Sequence, residues 1–147
     1  MQVNHMEFSK QFDASYKRLF GLSVGYGKLA DQFFNAFYES LISDSPEARK
    51  AFKHTDMEKQ KKMLRHSLIY MVSFGVNNEP DEFIERLARL HSRAEHDIKP
   101  ELYDLWLESL IKTVKYFDPN FDDDVELAWR MVLTNGITYM KFKYDKY

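Results

Sequence analysis

The chain has 147 residues, 44% of them hydrophobic and 30% charged, the composition of one folded domain and not of a disordered tract. It has no cysteine, which excludes disulfides, thiolate metal centres, iron–sulfur clusters and a cysteine nucleophile; a formal charge of −2 offers no basic field for nucleic acid or an anionic membrane. Aromatic residues reach 16%, from 12 Phe, 9 Tyr and 2 Trp, which suits an aromatic core or a pocket for something flat, while 5 Gly and 4 Pro supply few turns for an all-β fold.

The apolar spacing is helical nearly throughout. Phe8, Phe12, Tyr16, Leu19 and Phe20 recur at three and four, predicting a first helix of three turns after a short N-terminal extension over about 1–7. Gly21, Gly25 and Gly27 punctuate the next stretch. Leu29, Phe33, Phe34, Phe37, Tyr38, Leu41 and Ile42 then draw a stripe wide enough to face a core. Ser45 reads as a helix cap with Pro46 at the first helical position, opening a short segment that runs to Phe52. Asp56 is the next cap, before a long helix carrying Met57, Leu64, Leu68, Met71 and Val72. Gly75 to Pro80 reads as a loop, and Asp81 opens a helix whose inner face holds Phe83, Ile84, Leu87, Leu90 and His91. Asp97 to Pro100 is a break before Tyr103, Trp106, Leu107, Leu110, Ile111 and Val114. Asp118-Pro119-Asn120 is a turn, and Val125 to about Met140 is the last helix. Seven helical segments and no convincing strand predict an all-α fold.

The longest apolar run is about Leu68 to Val72, far short of a membrane span, and Met1 to Glu7 lacks the basic start and apolar stretch of a signal peptide. A cytoplasmic protein is the expectation. Asp122-Asp123-Asp124 sits where carboxylates complement a helix dipole, without the spacing of a calcium loop. His54 and His66 read as surface or boundary residues.

Three polar groups lie on apolar stripes. A lone histidine such as His91 on an apolar face is more often a core or boundary residue than a ligand. Tyr38 alone reads as a core tyrosine with a hydrogen-bonded hydroxyl, and Gln60 alone as a solvated first-turn residue. Their order along the chain adds meaning. Tyr38, then Pro46-Glu47, then Phe52 resembles bacterial globins, both single-domain forms and the heme domain of flavohemoglobins, where a distal tyrosine precedes a heme-stacking phenylalanine. Gln60 and Leu64 resemble the distal glutamine and the apolar residue one turn later. Ile98-Lys99-Pro100-Glu101-Leu102-Tyr103 resembles the segment that opens the following helix, and Trp129 the tryptophan often found in the last helix. The resemblance spans about residues 16 to 142.

This resemblance implies a globin fold of six to eight helices around a heme pocket, in one domain over 1–147. The implied cofactor is heme b, iron protoporphyrin IX, with Phe52 stacked on it, Leu64 as a steric wall and Tyr103 beside the proximal histidine. Two histidines compete for the iron. His91 precedes Tyr103 by twelve residues and His96 by seven, and neither reproduces the family's spacing. His91 continues an apolar face whereas His96 lies in a polar run, so His91 is the expected ligand and His96 the alternative. A five-coordinate iron leaves one position for O2, NO or CO. Donors from Tyr38 and Gln60 then stabilise bound oxygen, each hydrogen bond to a charged acceptor contributing about 1.5–3 kcal/mol.

The implied activity is NO dioxygenation. The chain ends at Tyr147 without the flavin and nicotinamide domains of flavohemoglobins, so turnover is expected to need a separate reductase. The competing expectation is an oxygen or redox sensor, or a gas-binding protein without turnover. No nucleic acid or membrane partner is expected, and the chain is expected to be a monomer or homodimer.

Overall fold

The computed structural model describes residues 5–21 and 28–147, which form seven helices and, among the described residues, no strand. They are α1 (His5–Phe20), α2 (Lys28–Asp44), α3 (Pro46–Ala51), α4 (Met57–Asn77), α5 (Glu82–His91), α6 (Pro100–Phe117) and α7 (Asp123–Lys143). Residues 1–4, with Gly25 and Gly27, lie outside the described residues. α1 is longer than the expected three turns, with 16 residues, and takes in the end of the expected N-terminal extension.

The helix starts follow local chemistry. Ser45, Asp56, Asp81 and Asp122 each turn a side-chain oxygen back to amides of the first turn: to Ala48 at 3.1 Å, to Glu58 at 3.2 Å, to Ile84 at 2.9 Å and to Val125 at 2.9 Å. Pro46 and Pro100 occupy first-turn positions, where their missing N–H costs nothing. The carboxylates at 122–124 are thus a cap and a first turn. Among the described residues no group of three or more His, Cys, Asp or Glu side chains is arranged to hold a metal ion.

Gly75 corrects the expected loop. α4 continues through it to Asn77 and ends at Asn78 in the left-handed conformation, with φ 59°. At Gly75 the backbone of α4 lies against that of α7: a Cβ built there would sit 1.8 Å from the Val132 carbonyl oxygen. The glycine therefore marks a helix crossing, not a turn. One turn along each helix, Met71 fills the notch left by Gly136, whose Cβ would meet Met71 Sδ at 2.3 Å.

Most of the aromatic excess is packing. The rings of Phe12, Trp129, Tyr16, Phe20, Phe33 and Phe34 form a continuous chain with neighbouring centroids 4.7–5.8 Å apart. Beneath it a buried polar network ties α1 to the α6–α7 turn. Trp129 Nε1 donates to Ser15 Oγ at 2.9 Å, Ser15 donates to Asp118 at 2.6 Å, and Arg18 donates to both Asp118 oxygens at 2.6 and 2.9 Å. Burial pushes the Asp118 carboxyl up, but Arg18, Ser15 and the Asn120 amide together hold it below the usual carboxylate range.

Candidate functional site

Two groups of side chains stand apart from this packing. The first is built by α2, α3 and the start of α4. Tyr38 lies on the buried stripe of α2 with Phe34, Phe37 and Leu41. The Ser45–Pro46 start turns the chain sharply into α3, which ends at Phe52, and the Phe52 ring meets Tyr38 edge to face at 5.6 Å. Asp56 then sets the start of α4 so that Gln60, one turn in, faces inward, and its Nε2 donates to the Tyr38 hydroxyl at 3.2 Å. Leu64, a further turn along, is buried. Burial pushes the Tyr38 phenol up to about 12, only partly offset by the Gln60 hydrogen bond, so at neutral pH the hydroxyl keeps its proton. The phenolic oxygen accepts from Gln60 and its O–H stays available to donate to a ligand.

The second group is built by α5 and α6. Asp81 caps α5, and His91, its last residue, continues the buried Ile84–Ala88 face. Leu90 does not share that face: it is 37% exposed, because it lies a quarter turn away from His91 around the helix. His91 Nδ1 lies 3.1 Å from the Tyr103 hydroxyl. Burial, with a smaller contribution from the charge of nearby His96, holds the His91 imidazole down at about 4, so it is neutral at pH 7. With the proton on Nδ1 and donated to Tyr103, the lone pair sits on Nε2, to which no hydrogen bond is made among the described residues. His54, His66 and His96 are exposed.

The unmatched spacing before Tyr103 has a structural answer. Residues 92–99 fold back under the end of α5: the amides of His96, Asp97 and Ile98 donate to the carbonyls of Leu90, Ser92 and His91 at 2.9, 2.9 and 3.0 Å. Asp97 takes the left-handed conformation, φ 53°, that the reversal requires. The loop thus absorbs the extra residues and delivers Tyr103, in the first turn of α6, to His91. Phe37, beside Tyr38, packs edge-on against Trp106 of α6 at 6.0 Å, one turn from Tyr103, which links the two groups through the core. Spacing carried no signal for Trp106 in that linking role. A surface groove of about 540 Å³ between the end of α4 and α7, lined by Phe74, Asn78, Asn135, Thr138, Tyr139 and Phe142, shares no residue with either group.

The donor set fits a heme. A neutral imidazole with Nδ1 at a phenol and Nε2 unengaged has the chemistry a heme's proximal ligand would need, and the buried phenol and half-buried amide on a separate helix pair would offer a hydrogen-bond donor on the other side. The His91 pKa also makes a pH prediction. Its folded value, about 4, lies below the unfolded 6.5, so the unfolded chain binds the extra proton between them. Stability without cofactor should fall as pH drops from 7 to 4.5, by about 2 kcal/mol from this group. Urea unfolding of His91→Gln should show that much less pH dependence than the parent chain; equal slopes would contradict a buried neutral imidazole.

A family model described as Globin matches residues 35–140. Among solved structures, a Pseudomonas aeruginosa protein described as structurally highly homologous to a human hemoglobin is 34% identical, with a TM-score of 0.80 over 93% of this chain and 98% of its own. A search of the curated proteins finds no match.

Proposed function

Since the chain belongs to the globin family, whose members bind gases at a heme, we propose that His91 is its iron ligand and that Tyr38 and Gln60 are its gas-binding donors. When bound, heme b supplies an iron with one open position for O2, NO or CO and an oxidation state that can change. The chain's own residues do the rest. Tyr103 holds the His91 ring by its Nδ1–H, Phe52 braces the flat cofactor, Leu64 closes the gas pocket to water, and Tyr38, oriented by Gln60, donates its O–H to the gas. His91 is preferred to His96 because the His96 side chain is exposed, with only its backbone amide engaged, at the Leu90 carbonyl.

The observation that carries this reading is the hydrogen bond from the half-buried Gln60 amide to the buried Tyr38 hydroxyl, which leaves the phenolic O–H free to donate. Such a pair holds polarised oxygen tightly, which suits chemistry or sensing better than bulk transport. The reaction we infer is NO detoxification, in which oxygen, nitric oxide and one electron give nitrate, the electron coming from a separate reductase. The whole of 1–147 acts as one globin domain, as a monomer or homodimer in the cytoplasm. No helix among the described residues is long and apolar enough to cross a membrane. A second reading, an oxygen or redox sensor without turnover, uses the same pocket. Sustained nitrate formation with a cellular reductase supports the first, and a single turnover that stops supports the second.

Tyr38→Phe removes one charge-assisted hydrogen bond of about 1.5–3 kcal/mol, so oxygen dissociation should accelerate by about tenfold or more. Stopped-flow displacement of oxygen by CO reads this directly, and an unchanged off-rate would sink the assignment.

A further inference from the structure

We propose that the α3–α4 turn, the start of α4 and the adjoining edge of α5 form a docking surface for an acidic protein that carries one electron. The inference rests on the reading of the chain as a heme protein fed by a separate reductase, and it names where that donor binds. One electron passes from the reduced carrier to the ferric iron, the carrier is oxidised, and no bond or proton moves with it.

The charge of the chain is unevenly placed. Residues 49–62 hold six Lys or Arg against two carboxylates, in a chain that totals 21 against 23. Both carboxylates are committed: Asp56 accepts from the Glu58 and Lys59 amides, and Glu58 pairs with Lys61 at 3.2 Å. Arg49, Lys50, Lys53, Lys59 and Lys62 are exposed, and no ion pair among the described residues uses them. Elsewhere Arg18, Arg65, Lys112, Arg130 and Lys141 each reach a carboxylate of another segment. The fold gains little from the concentration. Lys59 stands in the first turn of α4, where the helix dipole disfavours a cation, and Lys59 and Lys62 are like charges one turn apart.

An apolar centre lies beside these charges. Met63 is 54% exposed and shares one face of α4 with Lys59, His66 and Tyr70. The Tyr70 ring stacks on Phe83 of α5 at 4.1 Å, and the His66 ring meets both edge-on at 5.3 and 5.4 Å. Arg86, one turn beyond Phe83, is exposed and extends the basic rim. A small apolar centre inside a charged rim is the anatomy of a recognition surface. One side of the proposed gas site reaches the surface here, since Lys53 follows the half-buried Phe52 and Lys59 and Lys61 flank the half-buried Gln60. Electron transfer requires close approach, so the donor belongs at that edge. Such encounters bury little area, below about 1,200 Å², and opposite charge steers them more than area does. An acidic face on the carrier complements the unpaired cations.

The probe is an acidic two-iron ferredoxin. Titrated in its oxidised form into the CO-bound protein it moves no electron, so NMR amide shifts read docking alone. Shifts should fall on residues 49–63 and 83–86 and spare α1 and α7. Parent binding should weaken by roughly tenfold as salt rises from about 50 to 300 mM. Reversing four charges together, Lys50→Glu, Lys53→Glu, Lys59→Glu and Lys62→Glu, should weaken binding by at least about tenfold and slow reduction of the ferric protein by reduced ferredoxin by a similar factor. The matched control, Lys10→Glu, Lys17→Glu, Lys115→Glu and Lys146→Glu, reverses four exposed charges elsewhere and should change both by less than about twofold. Met63→Ala should weaken binding severalfold and keep its salt dependence. Equal losses in the two reversal variants would show net charge alone at work and overturn the surface, as would shifts outside it. Docking on this face without reduction of the iron would overturn the electron-donor role, and equal binding of anionic vesicles at the same amides would overturn the choice of partner. Reduction through this face with no nitrate formed would keep the surface and refute NO detoxification alone. A parent protein that takes up no heme would refute the premise of both, whatever the docking result.

Discussion

A His91→Gly protein should lose its five-coordinate ferrous spectrum and its stable CO adduct, while His96→Gly keeps both. The expectation follows from what each imidazole faces. His91 is neutral through burial, its Nδ1 is committed to Tyr103 at 3.1 Å, and its Nε2 is unengaged among the described residues, so it can bind a metal without first losing a proton or a partner. His96 is exposed, and its backbone amide serves the Leu90 carbonyl at the end of α5, which leaves its ring in solvent. Removing a partner that merely orients a ligand costs about 10–100-fold in metal affinity, and removing the ligand itself should cost more than that. Imidazole added to His91→Gly should occupy the vacated space and restore the spectrum. Absorption spectra of the ferric, ferrous and CO forms check all of this, and a His91→Gly protein spectrally identical to its parent would end the assignment.

Among the described glycines, Gly75→Ala should be the most destabilising glycine-to-alanine change. The added Cβ would lie 1.8 Å from the Val132 carbonyl oxygen and 2.7 Å from its carbon, both backbone atoms of α7. No rotamer change can relieve that contact, so α4 and α7 must separate and the packing along their crossing loosens. Overpacking in a well-packed core typically costs about 1–3 kcal/mol and occasionally more, and a backbone clash belongs at or above the top of that range. Gly136→Ala is the matched control. Its Cβ would meet Met71 Sδ at 2.3 Å and Cε at 2.4 Å, the far end of an unbranched side chain that can swing aside, so a smaller loss of about 1 kcal/mol is expected. Urea midpoints of the two variants at equal m-value decide it: a Gly136→Ala loss equal to or larger than that of Gly75→Ala would contradict the crossing geometry. Against a total stability of about 5–15 kcal/mol, the Gly75 variant should lose a large share.

Gly75 also shows where reading residues in order breaks down. A glycine followed by Val-Asn-Asn-Glu-Pro carries the composition of a loop, and the local signal is correct only from Asn78 onward. The helix runs through Gly75 because α7 needs the space, and that demand comes from Val132, 57 positions away. Leu90 departs for a different reason: it lies about a quarter turn from His91 around α5, off the buried Ile84–Ala88 face. The candidate site shows the same limit. Tyr38, Phe52 and Gln60 were grouped in the sequence by their resemblance to the globin pattern, not by spacing alone; their contacts, across two caps and three helices, appear only in the fold. For the His91–Tyr103 approach the spacing matched no pattern, and only the folded loop closes it.

By itself, then, the sequence determined the all-α class, the caps at Ser45 and Asp56, the helix starts at Asp81 and at the 122–124 carboxylates, the buried faces of α2 and α6 and the exclusion of thiolate chemistry. Each of these depends on a residue's own chemistry or on neighbours within a turn or two, where backbone hydrogen bonding and side-chain period leave few alternatives. The tertiary structure alone decided the α4–α7 crossing, the Asp118 network and the delivery of Tyr103 to His91. Those are contacts between segments tens of residues apart. Their register follows from how whole helices pack, a quantity set by the shape of two surfaces at once and written in neither segment alone.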